Sequence, residues 1–175
     1  MIKKSVTMFE LILILLAYLL PLYVANATPI LFHGNLPVDF GKKYKGERIL
    51  GKGKTILGLI CGILGGTFIG ILFGLIFPQI FNLIPEYSVL IILLSAGALI
   101  GDMVKSFAKR RKGIKSGGKW FLVDQLDFII GGLVFSLIVR VPELWIVIFL
   151  LVVTGFIHTA TNIIAFKLKL KKVPW

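Results

Sequence analysis

Five apolar runs dominate the chain and decide what it can become. They fall at about Met8–Ala27, Lys54–Phe77, Tyr87–Val104, Trp120–Val139 and Leu144–Phe166. Each has, or nearly has, the roughly 20 helical residues needed to cross a hydrocarbon core. Within lipid the backbone must satisfy its own hydrogen bonds, so such runs are read as helices. Composition agrees: 57% of the 175 residues are hydrophobic and the mean hydropathy is +0.95, too apolar for a soluble domain of this size. The expected fold is an all-α integral membrane protein, one membrane domain over residues 1–175. It is a bundle of five transmembrane helices at about 8–27, 54–77, 87–112, 120–139 and 144–168, with cytoplasmic loops at about 33–53 and 105–119.

Charge orients this arrangement. With the N-terminus outside and the C-terminus cytoplasmic, residues 34–54, 105–119 and 167–175 carry six, seven and four Lys/Arg on the cytoplasmic side. Only Lys3, Lys4 and Arg140 remain outside. Seventeen against three satisfies the positive-inside rule. The first run also resembles a secretory signal peptide ending in Ala25-Asn26-Ala27, but cleavage there would place all three basic segments outside. The expected location is therefore the cell membrane, multi-pass, with any site among the basic loops facing the cytoplasm. The net charge of +12 sits in short segments between apolar runs. Lipid headgroups and phosphate ligands account for it, and no nucleic-acid partner is expected.

The second run carries Gly58, Gly62, Gly66, Gly70 and Gly74, a stripe that lets helix backbones approach closely in lipid; Gly97 and Gly101 repeat the spacing. The stripe implies a tight bundle and also permits contacts across a homodimer. Cys61 is the single cysteine, so neither a disulfide within the chain nor a cysteine zinc site is available. His158 and Asn162, four apart, share one helical face and can serve an interhelical hydrogen bond or line a groove. In the first basic loop Gly53-Lys54-Thr55 matches the end of a P-loop, but Arg48 occupies the position of its first glycine. What survives is weaker: glycines and cations before a helix can hold phosphate, which makes Arg48, Gly51, Lys52 and Lys54 candidates.

The densest chemistry lies between Gly101 and Asp127, which holds seven of the twenty Lys/Arg and three of the eight acids. Continued past its apolar part, the third helix places Asp102, Lys105, Ser106, Lys109 and Arg110 on one face. Gly113 stops that helix, Gly117-Gly118 turn the chain, and Asp124 and Asp127 then share a face of the next. Asp102, Asp124 and Asp127 can therefore converge. Carboxylates at a membrane boundary repel one another unless cations neutralise them. Hard oxygen ligands beside phosphate describe a Mg²⁺ site, with Lys105, Lys109, Arg110 and Lys115 placed to neutralise a triphosphate and Ser106 as a polar contact. A competing reading has the aspartates simply pairing with neighbouring lysines. No Ser-His-Asp set and no general base stand out. A lipid phosphate attacking a nucleoside triphosphate needs none, because a phosphate monoester, with its second pKa near ~6, arrives ionised. A small transporter or channel for an anionic solute is the alternative, since it too keeps charges within spans.

The motif Gly101-Asp102-Met103-Val104-Lys105-Ser106-Phe107, then Lys109-Arg110-Arg111, Gly113-Ile114-Lys115 and Asp124-Gln125-Leu126-Asp127, resembles the signature of the archaeal CDP-archaeol synthases. The similarity takes in Asn26–Pro29, Arg48–Thr55 and the Val173-Pro174-Trp175 ending, and so nearly the whole chain. It implies a Mg²⁺-dependent nucleotidyltransferase of phospholipid biosynthesis. CTP and unsaturated archaetidic acid (2,3-di-O-geranylgeranylglyceryl phosphate) would give CDP-archaeol and pyrophosphate. The chain is also distantly similar to bacterial phosphatidate cytidylyltransferases. There Ser106, Lys109, Arg110, Gly117, Gly118, Asp124 and Asp127 fit the pattern, while Gln125 and Ser116 replace an expected arginine and aspartate and the expected histidine is missing.

Overall fold

The computed structural model describes residues 7–51, 53–114, 118–167 and 169, with backbone alone for 158, 161, 162 and 165. Helix α1 (Met8–Leu31) starts at a capping box: Thr7 Oγ1 accepts from the Glu10 amide at 3.2 Å, and the Glu10 carboxylate accepts from the Thr7 amide at 2.8 Å. It runs a turn beyond the expected end, through Pro29. Helix α2 (Ile56–Ile76) is capped by Thr55, whose hydroxyl accepts from the Gly58 amide at 3.2 Å. A short α3 (Ile80–Leu83) leads to α4 (Tyr87–Arg111), which ends close to the expected position, followed by α5 (Val123–Ser136) and α6 (Leu144–Lys167).

The expectation of five membrane-spanning helices is corrected here. Among the described residues three helices are long and apolar enough to cross a membrane: α1, α2 and α4. The fourth apolar run yields only the 14 residues of α5, a rise of ~21 Å against a core of ~30 Å. Its first residues are spent on a turn, with Leu122 at φ +63°, and its last on tight turns in which the Leu137 and Ile138 amides donate three residues back. In α6 the apolar described segment, Leu144–Ile157, also falls short of a span. The N-terminus-outside orientation rested on five crossings, and three long helices do not establish it.

The first basic loop is not irregular throughout. Strands β1 (Lys43–Tyr44) and β2 (Glu47–Arg48) pair antiparallel across Lys45 and Gly46, which sit at φ +52° and +84° as a two-residue primed turn requires.

The glycine stripe of α2 is buried as expected. A Cβ at Gly66 would stand 2.7 Å from the Pro21 carbonyl oxygen of α1 and 2.5 Å from Ser95 Oγ of α4, so the three helices close on that face. The α4–α5 contact is closer still. A Cβ at Gly97 would lie 2.5 Å from the Gly131 carbonyl oxygen, and one at Gly101 would collide with the carbonyl oxygen of Asp127. Backbone therefore meets backbone at the place where the charged segment begins. The apolar core of Leu13, Tyr18, Leu22, Tyr87, Leu94, Phe128 and their neighbours fills the space among α1, α4 and α5.

Candidate functional site

Gly101 lies one turn before Lys105, and the close approach it permits brings α5 within reach of that lysine. Lys105 Nζ stands 2.7 Å from Asp127 Oδ2, 2.9 Å from Asp102 Oδ1 and 3.7 Å from Asp124 Oδ1. The three aspartates expected to converge do so, and a lysine ammonium stands between them. Two further cations complete the cluster. Lys54, from the start of α2, pairs with Asp102 Oδ2. Lys109 donates to both oxygens of Asp124, at 2.8 and 2.9 Å. Asp124 also accepts from the Trp120 amide at 2.7 Å, which ties the connection before α5 to the site. Three carboxylates and three ammonium groups thus balance in a half-buried network. Such a network is held together by mutual pairing, since removing one member strands the others in a medium that solvates them poorly. Among the described residues no three His, Cys, Asp or Glu side chains are grouped so as to hold a metal as they stand.

Two cavities meet at this network. A polar one of about 470 Å³ lies among α1, the loop leading into α2, and α4, lined by Asn26, His33, Gly53, Lys54, Asp102 and Lys105 among others. An apolar one of about 410 Å³ lies between α4 and α5, lined by Val104, Lys105, Trp120, Asp127, Ile130 and Phe135 among others. Lys105 faces both, with Asp102 on the polar side and Asp127 on the apolar side. A charged group therefore stands where a polar ligand and an apolar ligand would come together.

The remaining sequence candidates fall outside the cluster. Ser106 is buried and donates to the Asp102 carbonyl of its own helix at 2.9 Å. Arg110 donates to the Ile114 carbonyl, and its guanidinium lies beside Gly51, where a Cβ would be 3.5 Å from Arg110 Nε and φ is +94°. Arg48 Nη2 pairs with Asp39 at 2.6 Å. Lys52 and Lys115 lie outside the described residues, as do the side chains of His158 and Asn162. Sequence reasoning placed Lys54 behind the central motif, whereas the structure sets it against Asp102. It missed Asp39 altogether, whose carboxylate accepts from the amides of Gly41 and Leu50, each at 3.0 Å, besides Arg48. Burial works to raise the Asp39 pKa, but the Arg48 guanidinium and the two amides outweigh it and hold the carboxyl below its ordinary value.

Known proteins resemble this chain in sequence and in fold. The family described as "CarS-like: CDP-archaeol synthase" matches residues 8–175. The CDP-archaeol synthase of Methanospirillum hungatei is 44% identical over 168 residues, covering 90% of this chain and 100% of its own. That of Methanocaldococcus jannaschii is 43% identical over 175 residues, covering 95% and 99%. A solved structure described as "Structural insight into an intramembrane enzyme for archaeal membrane lipids biosynthesis" superposes with a TM-score of 0.76 at 35% identity, covering 90% of this chain and 95% of that one. Matched over residues 8–175 and 44% identical to a relative covered over its full length, the protein belongs to the CDP-archaeol synthase family.

Proposed function

We propose that the protein transfers CMP from CTP to the phosphate of 2,3-di-O-geranylgeranylglyceryl phosphate, forming CDP-archaeol and pyrophosphate. Family membership supports the reaction. The observation that carries its mechanism is Lys105 on the boundary between a polar and an apolar cavity, flanked by Asp102, Asp124 and Asp127. CTP takes the polar cavity and the head of the prenylated lipid takes the apolar one, its chains continuing into the bilayer. A lipid phosphate oxygen forms a bond to the α-phosphorus as the bond from that phosphorus to the β-bridging oxygen breaks, and pyrophosphate leaves. The phosphate monoester, with its second pKa near ~6, attacks as an anion, so no side chain need remove a proton.

The work of the chain is then alignment and charge neutralisation. Lys105 holds the two phosphates against each other. Lys54 and Lys109, with Arg110, meet the triphosphate, and Ser106 and Gly51 shape its surroundings. Asp102, Asp124 and Asp127 suit a Mg²⁺ ion, because hard carboxylate oxygens are already gathered round one cationic nitrogen. Such an ion, when bound, supplies Lewis-acid neutralisation of phosphate oxygens. Were such an ion held by these carboxylates, Lys105 would be left to pair with phosphate. The site faces the cytoplasm, where CTP is made. Lys42, Lys43, Lys45, Lys54 and the last turn of α4 crowd this end of the helices, while the opposite end carries the Arg140–Glu86 pair.

The test is purified protein with Mg²⁺, the prenylated glycerol phosphate and CTP labelled in its α-phosphate. Label is expected in a lipid product that releases CMP on hydrolysis. Folded protein that leaves all label in CTP contradicts the proposal.

A further inference from the structure

Asp39 has no counterpart in the chemistry described above, yet three donors converge on its carboxylate. Its side chain is 2% exposed. One oxygen takes Arg48 and the Gly41 amide, the other the Leu50 amide, and neither cavity includes it. Buried and outside both cavities, it is not placed to touch a ligand there. What it does is close the loop between α1 and α2 on itself. The neighbouring Val38 amide donates to the Lys54 carbonyl at 2.9 Å, and the Ile56 amide to the Leu36 carbonyl at 2.9 Å. The Gly34 amide donates to Thr55 Oγ1 at 3.3 Å. On the far side Arg111, from the last turn of α4, donates to the Tyr44 carbonyl at 2.8 Å and the Arg48 carbonyl at 3.4 Å, with its guanidinium over the rings of Tyr44 and Phe107. A continuous set of contacts thus runs from α4 through Arg48 and Asp39 to the segment that carries Lys54.

We infer that Asp39 is a positioning residue for nucleotide binding: it braces the loop so that Gly53 and Lys54 form a fixed wall of the polar cavity. The role rests on the reading that CTP occupies that cavity. It follows that Asp39 governs how tightly the nucleotide is held and leaves the chemical step, made by groups on α4 and α5, largely untouched.

The test compares full-length wild type with Asp39→Asn in detergent, measuring CTP binding by calorimetry and KM and kcat for both substrates. Removing the charge loosens a charge-assisted bond, so Kd and KM for CTP should rise about tenfold. The lipid KM and kcat at saturating CTP should stay within about threefold. Asp39→Glu should recover part of the affinity. If Asp39→Asn does not fold, Arg48→Lys, which keeps the charge and loses the guanidinium geometry, should show the same selective rise in CTP KM. A folded variant with wild-type CTP affinity, or one losing kcat while CTP KM stands still, overturns the role. Wild-type protein that fails to bind CTP overturns the functional reading beneath it, so the two failures are told apart.

Discussion

Asp39 and Asp127 are equally hidden, with side chains 2% and 5% exposed, and each faces a cation. Their surroundings differ in one respect. Asp39 receives three donors from its own loop, all committed to it. Asp127 shares Lys105 with Asp102 and Asp124, at the meeting point of two cavities. A carboxylate with private donors holds backbone in place, because any exchange of partner costs buried hydrogen bonds. A carboxylate that shares its cation can release it to an incoming phosphate and accept another cation in its place. The first arrangement builds a wall; the second leaves charge available for chemistry.

The largest effect should come from breaking the shared side. Asp127→Asn should lower turnover about a thousandfold, on the scale of removing a preorganised electrostatic group, with CTP affinity changed far less. Retained turnover would remove Asp127 from the site. Lys105→Met comes next. It strands three carboxylates against two cations, so the protein without metal should lose about 3 kcal/mol of stability. Added Mg²⁺ should then raise its thermal midpoint more than that of wild type. An equal or smaller Mg²⁺ effect in the variant would show that Lys105 does not stand in a cation's place.

Much of the shared side was legible in the sequence, because helix phase alone sets Asp102, Lys105 and Lys109 on one face and Asp124 and Asp127 on another. The depth at which α4 and α5 meet was not. It depends on Gly101 seating against the Asp127 carbonyl, a contact between backbones that no spacing announces. Asp39 was hidden for a different reason: its partners are Gly41, Arg48 and Leu50, gathered by a hairpin whose Lys45-Gly46 turn lacks the usual Asn-Gly pair. Hydropathy counted Trp120–Val139 as a span because it registers composition, whereas the helix is cut at both ends by turns.

Gly101→Ala sharpens the comparison from the backbone side. The added methyl must push α4 from α5, costing ~2 kcal/mol as overpacking does. It should also lower turnover while leaving CTP binding to the braced loop nearly intact. A variant with wild-type stability and turnover would mean the close approach is dispensable. The smallest effect concerns pH. Asp39 is held below its ordinary value, near ~3.9 in the unfolded chain, so its brace is fully present above that value and is lost as pH falls through the lowered one. Hydrogen-exchange protection of the Gly41 and Leu50 amides should therefore persist through the ordinary carboxylate range and fail only at more acid pH in wild type, with Asp39→Asn showing reduced protection throughout.

The difference between the two carboxylates is tested most directly by single-turnover rates at saturating CTP, measured for Asp127→Asn and Asp39→Asn under the same conditions. Asp127→Asn should remain slower than wild type by more than about a hundredfold, however much CTP is supplied, while Asp39→Asn returns to within about threefold. Equal slowing of both, or recovery of Asp127→Asn at high CTP, would contradict the division between a carboxylate that positions and carboxylates that act.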